Sequence, residues 1–111
     1  MALISLGKVV VTTSGTPVPL TATKNTNANA LFIQFPFTGN TGPNLYIGGI
    51  GIVIATLANM YRVLVKVAAA TNPYDQWTPQ SGVSQGPFDL STIFLDADHS
   101  GDFALVSYLV A

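Results

Sequence analysis

Met60-Tyr61-Arg62-Val63-Leu64-Val65-Lys66-Val67 decides between the two readings open to the middle of this chain. Tyr61, Val63, Val65 and Val67 fall on one side at a period of two, and Arg62, Leu64 and Lys66 fall on the other. That spacing predicts a half-buried antiparallel strand, with one face left to solvent or a partner. A helix over Ile54 to Ala70 competes, because Ala, Leu and Met favour helix. The alternating β-branched valines argue against it, since their χ1 freedom is costly on a helix and harmless on a pleated sheet. A single turn over Thr56 to Asn59 is compatible with the strand reading.

Working outward, the flanking segments speak the same language. Upstream, Leu45–Gly48 and Ile50–Ala55 read as two short strands across a break at Gly48-Gly49, and Ala30–Phe37 as another. Between them Thr38-Gly39-Asn40-Thr41-Gly42-Pro43-Asn44 is loop chemistry, rich in residues that tolerate positive φ. Gly7–Ser14 is a Val/Thr strand. Pro17–Thr23 alternates as well, but Pro17 and Pro19 confine it to a sheet edge, because proline cannot donate to a ladder. Lys24–Asn29 is a polar loop. Downstream, 71–86 is a long Pro/Gln/Ser/Gly-rich loop carrying Tyr74 and Trp77, a length that is usually functional or mobile. Thr92–Ala97 and Phe103–Val110 then read as a closing hairpin. About eight short strands with turns every 8–12 residues predict one all-β domain spanning 1–111, an antiparallel β-sandwich of jelly-roll-like type.

Composition bounds the function. The 111 residues suit a single domain. There is no cysteine and one histidine, which excludes disulfides, thiolate zinc sites and cysteine nucleophiles. Four Lys/Arg and five acids, all aspartate, give a net charge of −1. That balance lacks the basic footprint of nucleic-acid binding. Charged residues are 8% of the chain, against roughly 25% in an ordinary soluble domain. Spread over the roughly 5,800 Å² expected for this mass, they come to roughly one per 650 Å². A surface so poor in charge associates, so the chain is expected to be a subunit of an assembly. A membrane protein is not expected: the densest apolar region, Leu45 to Ala70, is interrupted by Gly48, Gly49, Gly51, Asn59, Arg62 and Lys66. The N-terminus has no basic stretch ahead of its apolar residues and does not read as a signal peptide.

Several constellations invite a chemical reading. Asp96-Ala97-Asp98-His99-Ser100-Gly101-Asp102 matches the first half of a calcium loop, with oxygen ligands at alternate positions and a glycine at the sixth. The twelfth position is Ser107 rather than a bidentate carboxylate, so a tight hairpin with Gly101 in the left-handed conformation is the expectation, and no metal or other cofactor is assigned. His99 at such a tip is poorly placed to exclude water, no serine lies in a nucleophile elbow, and no catalytic residue is assigned. Gly48, Gly49 and Gly51 lack the spacing and following helix of a phosphate loop and read as a bend or bulge. Trp77 with Tyr74 is the best candidate contact site, since large aromatics anchor interfaces. The alternative, that Trp77 folds back to cap an open end of the sandwich, stays open. Arg62 and Lys66 form either a solvated face or one that pairs with a neighbour's aspartates.

Three blocks carry a family resemblance. They are Val9–Thr23 (VVVTTSGTPVPLTAT), then Leu31-Phe32-Ile33-Gln34 through Asn40-Thr41-Gly42 to Leu45-Tyr46-Ile47-Gly48, then Asp89–Asp98 (DLSTIFLDAD) followed by Gly101 and an apolar last strand. In order and spacing the chain resembles small tailed-bacteriophage virion structural proteins. The segment between Gly51 and Phe88 departs from that pattern, being longer and more apolar. The resemblance implies a non-enzymatic β-sandwich on the capsid surface, a decoration (cement) protein bound to the major capsid protein, with a homotrimer as the expected unit. The partner contacts expected are Tyr74, Trp77, Asn25 and Asn27 of loop 24–29, and Leu3 and Ile4 of an apolar, unpaired N-terminal arm, residues 1–6. A head-completion, tail or fibre-attachment adaptor is the alternative within the family. A carbohydrate- or cell-surface-binding module is the alternative outside it.

Overall fold

The computed structural model describes residues 2–24, 26–67, 74–80 and 88–110. The strands are β1 (Ala2–Val10), β2 (Val18–Pro19), β3 (Asn27–Ala28), β4 (Ala30–Pro36), β5 (Asn44–Val53), β6 (Ala58–Val65), β7 (Tyr74–Trp77), β8 (Phe88–Asp89), β9 (Phe94–Ala97) and β10 (Phe103–Val110), with a 3₁₀ turn at Leu90–Thr92. Two four-stranded sheets, β1-β10-β4-β7 and β2-β9-β5-β6, carry the fold, and β3 pairs with β8 alone. All pairings between these strands are antiparallel.

The order has a simple origin. β1 pairs with β10, β2 with β9, β3 with β8, β4 with β7 and β5 with β6, so the chain is one long hairpin folded at the β5–β6 turn. Rolling that hairpin up lays β10 beside β4 and β5 beside β9. This is the jelly-roll order. Leu31, Ile33 and Phe35 of one sheet face Leu45, Ile47 and Leu95 of the other across a dry core, all with 0% exposure. Each such side chain contributes about 1.5–3 kcal/mol by leaving water.

Several expectations need correcting. Residues 2–6 are not a free arm: Leu3 and Ile4 pair with Leu109 and Tyr108, and the strand bulges between Ser5 and Gly7, where Gly7 adopts φ +70°. Leu45 to Val53 is a single strand rather than two. Its register shifts around Gly48, where a Cβ would collide with the Ile52 side chain and the Asn59 carbonyl. Tyr74 and Trp77 sit on a strand, not in a loop. Asn27 is exposed in the short strand β3, and Asn25 lies outside the described residues. The 98–102 segment does not close a hairpin, because β9 and β10 belong to different sheets; it is an arch from one sheet to the other. Only Val18–Pro19 of the proline-containing segment is strand, and it is an edge as expected. β6 is turned over relative to its valine face. Leu64 is fully buried opposite Leu45, while Tyr61 and Val65 are 58% and 49% exposed. The inward face of β5 is set by Leu45 and Ile47, and antiparallel partners share a face.

Candidate functional site

The acidic cluster is a clasp for the arches. Asp102, 2% exposed, accepts hydrogen bonds from the Thr41 N–H at 2.8 Å and the Gly42 N–H at 2.7 Å. Asn40, also buried, donates to the Pro36 and Phe103 carbonyls and accepts from the Phe103 N–H at 2.7 Å. Together they lock the β4–β5 arch to the β9–β10 arch. Asp96 accepts from the Gly15 N–H at 3.0 Å and its neighbouring Ala97 N–H at 2.8 Å, holding the loop after β1 against β9. Asp98 accepts from the Tyr46 hydroxyl at 2.8 Å and the Asn44 amide at 3.1 Å. Burial, and then that hydrogen bond to Asp98, push the Tyr46 phenol above its ordinary pKa of 10.0. The three carboxylates thus serve three separate sets of donors. Among the described residues no group of three or more His, Cys, Asp or Glu could hold a metal ion. His99 is exposed, with Nδ1 2.9 Å from the Ser100 carbonyl, to which it donates, and 4.0 Å from Asp102.

The outer face of the β1-β10-β4-β7 sheet is the unusual surface. Register places Leu3 beside Leu109 and Ala30, Ser5 beside Ser107 and Phe32, and Lys8 beside Leu105, Gln34 and Gln76. Val10 lies beside Phe103, and Tyr74 beside Pro36. Antiparallel sheets with one solvated face ordinarily alternate apolar-in with polar-out. Here the outer rows hold one charge, Lys8, and its Nζ lies 4.5 Å over the Phe103 ring. Leu3, Val10 and Leu105 are 66%, 42% and 38% exposed. A shallow depression of about 190 Å³ opens in the middle of this face, floored by Phe32, Gln34, Leu105 and Ser107.

Trp77 points the other way. It pairs with Ile33, packs on the core, and meets Tyr61 with ring centroids 6.2 Å apart. The two expected contact aromatics therefore lie on opposite faces of β7: Tyr74 outward, half-buried, and Trp77 inward. Trp77 caps the mouth of the sandwich between β6 and β7 and also lines a cavity of about 590 Å³ with Tyr61, Met60, Phe88 and Ile93. Sequence reasoning did not pair Trp77 with Tyr61, because it reads Trp77 in a long loop rather than on a strand opposite Ile33. It also missed the outer sheet face, although the absence of charge at alternate positions of 30–36 and 103–109 was visible. Arg62 is exposed, and the Lys66 ammonium lies 4.8 Å over the Phe37 ring.

No family model, curated protein or solved structure matches this chain.

Proposed function

We propose that this chain is a non-enzymatic structural subunit of a bacteriophage virion, a decoration or cement protein that seats on the major capsid protein lattice through the outer face of its β1-β10-β4-β7 sheet. The observation that carries the reading is that this whole face bears a single ionised side chain, Lys8. Four strands at about 4.8 Å spacing and about eight residues of β10 at about 3.4 Å rise make a patch of about 500 Å². That is small for a specific interface. A subunit that repeats across a lattice compensates, because many weak contacts acting together raise avidity without stronger individual contacts. Apolar contacts also hold at ionic strengths that screen surface ion pairs.

The test is Leu105→Asp, which sets a carboxylate at the centre of the face beside Lys8. The parent protein should occupy purified shells of the encoding phage at hundreds of copies, read by gel densitometry, with binding nearly unchanged between low and high salt. The variant should fold and fail to bind. A few copies to a dozen per particle would identify an adaptor of the head, tail or fibre instead. The cavity walled by Tyr61, Trp77 and Phe88 favours a second reading, a carbohydrate-binding module, since aromatic-lined concavities of this size accept small ligands. Calorimetry against a glycan panel tests it, and an absence of heat removes it.

A further inference from the structure

We infer that β1 is a self-association edge, through which a second copy of this chain adds its own β1 antiparallel to Ala2–Ser5. A sheet edge presents unpaired N–H and C=O groups, and proteins guard such edges with proline, charge, short length or bulges. The other edges of the two four-stranded sheets are guarded. β2 is two residues long and contains Pro19, with Pro17 just before it. β7 is four residues long and carries Asp75, whose carboxylate accepts the Val65 N–H of β6 and so ties those two edges together. β6 also bears Arg62, and its start is bent by Leu57 and Asn59 in the left-handed region.

β1 is different. It runs nine residues, and its one charge, Lys8, lies beyond the bulge at Ser5–Gly7. Ahead of the bulge, Ala2–Ser5 is exposed throughout, with Leu3 at 66% on the outer face and Ile4 at 38% on the inner face. The segment is thus apolar on both faces and uncharged.

The occupant that fits is another β1. A two-fold axis normal to the sheet and passing through Leu3 makes the strands antiparallel and keeps outward residues beside outward ones, as the parity of a sheet requires. Leucine then meets leucine, isoleucine meets alanine, and the two Lys8 residues stay apart at opposite ends. The self-complementary patch closes on itself as an isologous dimer. Only four residues per strand take part, so the dimer is weak in free solution. The pairing is independent of the lattice reading, since it uses the edge of the sheet and leaves its outer face open. It gives two-fold dimers rather than the homotrimer that the family resemblance implies.

Sedimentation of the full chain from about 10 μM to about 1 mM should show monomer passing to dimer in this low-affinity range. Amide hydrogen exchange across the same series should show protection rising at Ala2–Ser5 and nowhere on β2, β6 or β7. Leu3→Lys brings two ammonium groups together at the dyad and should weaken dimerisation about tenfold or more with the melting temperature unchanged. Leu105→Asp should leave the dimer intact while abolishing shell binding, so the two readings fail separately. A chain monomeric throughout, a trimer indifferent to Leu3→Lys, or association without added protection at Ala2–Ser5 would overturn the inference.

Discussion

Replacing Asp102 by asparagine is the sharpest probe of how the two sheets are joined. The carboxylate has two oxygens, each taken by one backbone N–H, from Thr41 at 2.8 Å and from Gly42 at 2.7 Å. Asparagine offers one oxygen and one NH₂, so one N–H loses its acceptor and meets a donor instead. An unmet buried N–H costs about 1–3 kcal/mol, and the surviving bond loses its charge assistance, so the total is about 2–4 kcal/mol. With an unfolding entropy of about 2.1 cal/mol/K per residue, each kcal/mol lowers the melting temperature of a chain this size by about 4 °C. The variant should therefore melt about 9–17 °C below the parent by calorimetry at neutral pH. Asp98→Asn is the control. Asp98 is exposed and accepts only from the side chains of Tyr46 and Asn44, so its loss should cost less than about 1 kcal/mol. Gly42→Ala should destabilise the same junction on its own, because a Cβ there lies 2.9 Å from Asp102 Oδ2 and 3.2 Å from the His99 backbone nitrogen. The reasoning fails if Asp102→Asn melts within about 2 °C of the parent, or no lower than Asp98→Asn.

Stability at alkaline pH should depend on Tyr46. Its phenol is raised in the folded state, so the stabilisation is fully present below the unfolded pKa of 10.0 and is lost as pH climbs from there through the folded value. Denaturant titrations across that window should show a decline that Tyr46→Phe removes, and an unchanged slope in the variant would discount the phenol. Gly48→Ala and Gly49→Ala should differ sharply. The first forces a Cβ into the Asn59 backbone carbonyl and should cost about 1–3 kcal/mol by chemical denaturation. The second meets the far end of the exposed Tyr61 side chain, its hydroxyl at 3.0 Å, and should be nearly silent. Trp77→Ala should cost about 2–4 kcal/mol, less than a fully buried tryptophan, because Trp77 is only half-buried at the mouth of the core.

Turns and strands were legible in the sequence to the extent that they rest on local chemistry. Ala30–Pro36 and Phe103–Val110 lie where periodicity placed them, Pro17 and Pro19 mark an edge, and Gly101 is left-handed at φ +92°. What local chemistry does not encode is which sheet a strand joins. The 98–102 arch carries the same Asp/Gly turn residues as a hairpin would. Its identity as a crossover depends on Asp102 reaching back some sixty residues to Thr41 and Gly42. The N-terminal strand was misplaced for a similar reason. Ala2–Leu6 lacks alternation of its own, and becomes a strand because β10 offers it a partner edge.

The inverted β6 and the uncharged outer face defeat the alternation in two different ways. A period-of-two reading places the more polar side of a strand outward, and in β6 that rule points the wrong way: Leu64, between Arg62 and Lys66, is buried opposite Leu45, while Val65 on the valine side is exposed. In β10 neither side is charged: buried Ala104 and Val106 alternate with Phe103 and exposed Leu105. Strands apolar on both sides are the mark of sheets covered on both sides. In this chain the core covers one side only. The outer rows of the β1-β10-β4-β7 sheet are therefore where the proposed partner layer would sit. Ordinary domains place charge on such rows; in this chain Asp96 and Asp102 are instead buried in its own arches at 1% and 2% exposure, a distribution that suits the proposed assembly.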